Sequence, residues 1–155
     1  VIGVLNQVLN GPEFRERVLA FSYQEKNQFV QNNGLTNQQI YDLLMSGAEQ
    51  YPVQAAANQM ADMQLTIYVQ PWYRRYSRAV AYTNQNDPLL HIRSSYYDQA
   101  SVADLAETLV HEWTHKMGFD HEFNATAQRP YSVPYGIGGI INELVLKYNQ
   151  PKTNF

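Results

Sequence analysis

Residues 111–121 read His111-Glu112-Trp113-Thr114-His115-Lys116-Met117-Gly118-Phe119-Asp120-His121, the pattern H-E-x-x-H-x-x-G-x-x-H. Two histidines four positions apart stand one above the other on a helix face, so both rings can reach one metal ion. Glu112, beside the first of them, can hold a water at that metal and take its proton. A helix running on would carry the third histidine off that face. Gly118 can adopt the left-handed conformation that ends a helix, and the chain then turns back to offer His121 as a third ligand. Three protein nitrogens leave the fourth tetrahedral position to water, the layout of a catalytic rather than a structural zinc. By average residue usage, five such fixed positions arise by chance on the order of once in a hundred thousand chains. Three of the four histidines of the chain fall in this window. The plain alternative is a helix whose histidines merely happen to sit at i and i+4.

The helix that carries the pattern has its own start signal. Ser101 followed by Asp104 is a capping box, which predicts a helix over 102–117. Val102, Leu105, Leu109, Val110 and Trp113 can anchor it in the core, and ligands need a fixed element to hold a fixed geometry.

Outward from this helix the chain alternates helical and strand patterns. Residues 1–10 fit either a strand or a helix. Asn10-Gly11-Pro12-Glu13 is a helix start, with Phe14, Val18 and Phe21 at helical spacing after it. That helix either breaks near Ser22 or runs on to Val30, with Asn32-Asn33-Gly34 as its stop. Thr36 and Gln39 form a second capping box, ahead of a stripe of Ile40, Leu43, Leu44 and Ala48 that ends at Tyr51-Pro52. Residues 53–61 read as a short helix or a linker. Met63, Leu65, Ile67 and Val69 alternate with Gln64, Thr66, Tyr68 and Gln70 as in a half-buried strand. Residues 76–83 and 89–93 read as two more strands around a turn at 84–88. Gly136, Gly138 and Gly139 precede a last amphipathic run from Ile140 to Tyr148, and the tail after Asn149 reads as frayed. Helices, then a sheet of at least three strands, then the metal helix and a C-terminal helix make an α+β layout.

The totals bound the rest. A chain of 155 residues is one domain with a single sizeable core, spanning 1–155. An apolar fraction of 45 % with 13 % aromatics is that of a globular protein. The net charge of −3 comes without a basic block, which argues against nucleic acid as a partner. No apolar run approaches the ~20 residues of a membrane span. Many tyrosines, asparagines and glutamines make a polar surface of low charge, compatible with a secreted or periplasmic protein. A chain that starts at Val1 reads as a processed or trimmed form. The absence of cysteine excludes disulfide stapling and an internal thiol that blocks a zinc.

The pattern at 111–121 resembles the zinc signature of the metzincin clan of metallopeptidases. The run Gly118-Phe119-Asp120-His121-Glu122 is most similar to the astacin version. The close likeness covers about a dozen residues. The chain is shorter than astacins, lacks their cysteines and has no methionine after His121 for the turn that underlies the metal in that clan. The nearest counterpart of that turn is Ser132-Val133-Pro134-Tyr135-Gly136, with Val133 or Pro134 in the methionine's place. The resemblance implies a small zincin domain, a twisted sheet over a backing helix with the metal helix beneath. It also implies a single catalytic Zn²⁺ on His111, His115 and His121, and a peptide or protein substrate cut by water with Glu112 as base. A monomer, with or without a pro-segment or an inhibitor as partner, fits that reading. A binding or interaction module that keeps zinc without catalysis is the alternative.

Other residues carry weaker signals. With Val133 aligned to the turn methionine, Tyr135 takes the place of a tyrosine that in astacins lies near the zinc, where its hydroxyl binds the metal or stabilises the oxyanion. A tyrosine packed on the core is the plain reading. Glu122 corresponds to a residue that in astacins binds the mature amino terminus; here it is equally a surface or supporting carboxylate. Asp120 can orient a ligand histidine. His91 is expected to be an ordinary strand histidine, with a place at the cleft edge as the alternative. Trp72-Tyr73-Arg74-Arg75-Tyr76 and Tyr96-Tyr97 read as loop anchors before they read as stacking platforms. Asn124-Ala125-Thr126 matches an N-glycosylation acceptor.

Overall fold

The computed structural model describes residues 1–49, 59–71, 79–84 and 88–149. The described elements run α1 (Ile2–Leu9), α2 (Pro12–Ala20), α3 (Asn37–Ser46), β1 (Gln64–Tyr68), β2 (Ala81–Thr83), β3 (Leu89–Arg93), α4 (Ser94–Tyr97), α5 (Val102–Lys116) and α6 (Val133–Tyr148). A 3-10 turn at Arg129–Tyr131 leads into α6. The fold is α+β, with six helices and a mixed three-stranded sheet among the described residues. No described helix is long and apolar enough to cross a membrane.

The N-terminal ambiguity resolves to α1, which buries Leu5 and Val8. α2 starts at Pro12 as expected and stops at Ala20. Phe21 leaves the helix (φ −59°, ψ 135°) and stacks on Phe29, centroids 4.0 Å apart and rings 5° from parallel. Both bonds of the capping box at Thr36 and Gln39 form. That helix is shorter than its apolar stripe: Gly47 ends it in the left-handed conformation at φ 61°. Tyr51-Pro52 and residues 53–58 lie outside the described residues, as do Trp72-Tyr73-Arg74-Arg75-Tyr76 and residues 85–87 of the turn expected at 84–88.

The strand order is β1-β3-β2, with β1 parallel and β2 antiparallel to β3. β3 covers the expected residues. In register, Leu65 pairs Leu90 and Ile67 pairs Ile92, so these four share a face. Leu90 and Ile92 are buried, yet Leu65, Ile67 and Val69 are 44 %, 51 % and 81 % exposed. The alternation in β1 marks a face correctly but not its burial, because β1 is an edge strand beyond the core that β3 covers.

α5 and α6 form the heart of the molecule; no other pair of the described elements shares as large a contact. α5 is buried on most sides, through Ala103, Leu105, Ala106, Leu109, Val110 and Trp113. Val102 is not an anchor, being 42 % exposed. Ala103 and Ala106 are among the buried residues of the helix. α6 begins seven residues earlier than its amphipathic run, and its glycines lie inside it rather than ahead of it. A β-carbon on Gly136 would sit 2.7 Å from Phe21 Cζ and 2.8 Å from Phe29 Cε1. One on Gly138 would meet Glu107 Cγ at 3.2 Å. These two glycines set how closely α6 can approach the Phe21–Phe29 pair and the helix that carries the histidines.

Opposite signs are therefore expected from two Gly→Ala changes in one helix. Nothing stands within 4 Å of a β-carbon on Gly139, so Gly139→Ala should stabilise by roughly 0.5–1 kcal/mol through helix propensity. Gly136→Ala should destabilise by about 1–2 kcal/mol, since overpacking exceeds that gain. Urea midpoints of the two variants check this; equal shifts would mean that the Phe21–Phe29 contact yields freely.

Candidate metal centre and cleft

α5 starts on its capping box: Asp104 N–H donates to Ser101 Oγ at 3.1 Å, and Ser101 N–H to Asp104 Oδ2 at 3.3 Å. It ends at Lys116 in a Schellman arrangement. Gly118 stands at φ 87°; its N–H bonds the His115 carbonyl at 3.0 Å, and the Phe119 N–H bonds the Thr114 carbonyl at 3.2 Å. Phe119 is buried and locks the reversal. Asn33 Nδ2 donates to the Gly118 carbonyl at 2.9 Å. The Asn32-Asn33-Gly34 turn thus ends no helix; it braces this reversal. The next residues bring His121 back over α5.

His111, His115 and His121 lie close enough to bind one metal ion, with their ligand atoms all within 4.8 Å of one another. His111 Nε2 is 3.2 Å from His121 Nε2. The other ring nitrogens are held by backbone carbonyls. His115 Nδ1 donates to Phe119 at 2.8 Å and His121 Nδ1 to Glu122 at 3.0 Å. His111 bonds the Pro134 backbone, which has only a carbonyl to offer. A carbonyl only accepts, so Nδ1 carries the proton in each ring, and the Nε2 lone pairs face one another. Bare nitrogens 3.2 Å apart repel; a cation between them turns that repulsion into binding. The orienting acceptors are backbone oxygens rather than the Asp120 carboxylate, which lies 3.8 Å from His115 Nδ1 and bonds the His121 N–H instead. The Glu122 side chain accepts from Thr126.

Electrostatics favour neutral rings at His111 and His115. Burial first, then the charges of His115, His121 and Arg129, push His111 down to about 3. Burial also lowers His115, against the pull of the Phe119 carbonyl and Asp120. Glu112 is buried and pushed up to about 7, chiefly by desolvation. Hydrogen bonds from the Thr83 side chain and backbone, and the buried Lys116 one turn on, oppose that rise.

β2, the strand edge at Ala81–Thr83, borders the same cleft as the triad; Tyr96, Glu107, Phe123, Arg129 and Tyr135 line it too. His91 is not among the lining residues: it sits on β3 and stacks on Tyr82, centroids 4.5 Å apart. Tyr96 anchors the start of α5 through Thr108 at 2.8 Å and the Asp104 carbonyl at 3.1 Å. Asn124 and Thr126 are exposed.

Tyr135 reaches the triad by a route that differs from the expected one. Ser132-Val133-Pro134-Tyr135-Gly136 is not a turn but the cap and first turn of α6, with Val133 and Pro134 buried. The Tyr135 ring centroid is 4.5 Å from that of His111 and 4.8 Å from that of His121. Arg129 donates to its hydroxyl oxygen and lies over its ring, Cζ 4.7 Å from the centroid. Thr83 and Arg129 carry no signal in the sequence as site residues. Neither does Glu49, a buried carboxylate that accepts from Trp113 Nε1 at 2.6 Å and so ties α5 to the chain before β1.

Compared with family models, with curated proteins and with solved structures, the chain has no match in any of the three.

Proposed function

We propose that the protein is a zinc-dependent endopeptidase of metzincin-like design. The reading rests on one observation: three inward-facing imidazole nitrogens stand beside a buried glutamate in a cleft bordered by a strand edge. Zinc fits the donor set, because three neutral imidazoles suit a borderline cation. Two nitrogens each ~2.0–2.1 Å from a tetrahedral zinc lie about 3.3 Å apart, close to the spacing of His111 and His121. Zinc held there would supply Lewis acidity and make water nucleophilic at neutral pH.

The chain's own residues do the rest. Glu112 takes a proton from the attacking water and hands it to the leaving amine as the C–N bond breaks. A carboxyl poised near neutrality can do both. Thr83 holds that carboxylate in place from β2. The Tyr135 hydroxyl oxygen already accepts from Arg129, which leaves its own proton free to donate to the oxyanion that forms at the carbonyl. An extended substrate lies along β2, an edge strand of the sheet among the described residues. A secreted or periplasmic location suits such an enzyme, acting as a monomer.

The test is cleavage of casein by protein loaded with zinc, with the same sample stripped by chelator and reloaded. Activity that tracks one zinc per chain, lost and regained, is the expected result. Zinc bound one to one with no cleavage of casein or a mixed peptide library would favour the binding module instead.

A further inference from the structure

We propose, resting on the zinc-site reading, that Arg129 is a specificity-determining residue that binds a carboxylate of the substrate. Arg129 stands one phenol ring away from the triad, since its guanidinium and both His111 and His121 contact the Tyr135 ring. A guanidinium has five N–H donors, and one goes to the Tyr135 hydroxyl. Among the described residues no carboxylate ion-pairs with it, and its Nε is shielded from solvent without a hydrogen-bond partner. Holding Tyr135 in place would use one donor and needs no lasting charge. A permanent cation, partly desolvated beside a site for a second cation, is unfavourable unless an anion completes it.

The acidic groups of the cleft among the described residues do not supply that anion. Glu107 is occupied by Asn142 Nδ2 at 2.8 Å, Glu112 by Thr83, and Asp120 turns its carboxylate to the His121 backbone. The free donors suit a planar carboxylate taken in two-pronged fashion. Two parts of a peptide carry one: a free C-terminus, or an Asp or Glu side chain near the scissile bond.

Calorimetric titration of zinc-loaded protein with peptide hydroxamates, which chelate zinc, tests this through binding alone. One pair of probes differs only in a terminal carboxylate against its carboxamide. A second pair, both amidated, differs in Glu against Gln. At least one pair should show the acid binding about tenfold tighter than its amide, and the pair that does identifies the source of the carboxylate. Arg129→Gln should bring that ratio close to one at unchanged zinc content. Arg129→Lys, which keeps the charge but not the fork, should fall between. No preference in wild type, or a preference that survives Arg129→Gln, overturns the proposal and leaves the zinc site standing. Equal weakening of every probe in both variants also overturns it, because it marks a structural residue. Failure of the wild type to hold zinc, or to bind any hydroxamate, brings down the zinc reading and this one with it.

Discussion

Glu112→Gln should keep one zinc per chain and lose roughly 10²–10⁴-fold in turnover, the range that a positioned acid–base group supplies. The amide is nearly isosteric, so it keeps an oxygen to accept from Thr83 and leaves the triad untouched. What it lacks is the ability to receive a proton from water and pass it to the amine. Stability should hold or rise slightly, since a buried group with an ionisable state is replaced by a neutral one. The measurement is kcat on casein-derived peptides beside zinc content and the thermal midpoint of the same samples. A variant that cuts like wild type removes Glu112 from the role of base. If wild type and variant are both inert with zinc in place, the binding module gains.

The second large effect is expected at a residue with no side chain to offer the site, Gly118. Its φ of 87° is open to glycine, tolerated by asparagine and strained for a β-branched residue. The strain of Gly118→Val is about 1–3 kcal/mol, which for a domain of this size lowers the thermal midpoint by about 3–10 °C. The two backbone bonds of the Schellman arrangement contribute ~0.5–1.5 kcal/mol each, together about as much as the strain, so the cap relaxes in part. Relaxation moves His121, and zinc affinity should fall by about tenfold or more. Gly118→Asn should lie between glycine and valine on both scales. Competition with a calibrated chelator reads the affinity. Equal affinity for all three residues would mean that His121 finds its place without the cap.

Much of the centre is legible in the sequence because it is local. The i, i+4 spacing of His111 and His115, the capping box at Ser101 and Asp104, and the helix-ending Gly118 depend on neighbours within one or two turns. The α+β class and the limits of β3 follow from similarly local periodicities.

Elsewhere local reasoning misplaced elements for identifiable reasons. Three glycines near the start of α6 signal a helix boundary by propensity, yet Gly136 and Gly138 lie within the helix because close packing against Phe21, Phe29 and Glu107 outweighs their entropy cost. The alternation of β1 specifies two faces and carries nothing about which strand of the sheet covers the core.

By itself, then, the sequence determined which three histidines come together, the helix that presents two of them and the reversal that returns His121, since short-range backbone geometry settles all three. Tertiary structure alone decided that Thr83 holds Glu112, that Tyr135 arrives on a helix, and that Arg129 stands beside it with no carboxylate among the described residues. Residue 83 meets residue 112, and residue 135 meets residue 111, only once α5 has packed against β2 and α6. No spacing along the chain encodes a contact that exists only when two elements find their mutual distance and angle.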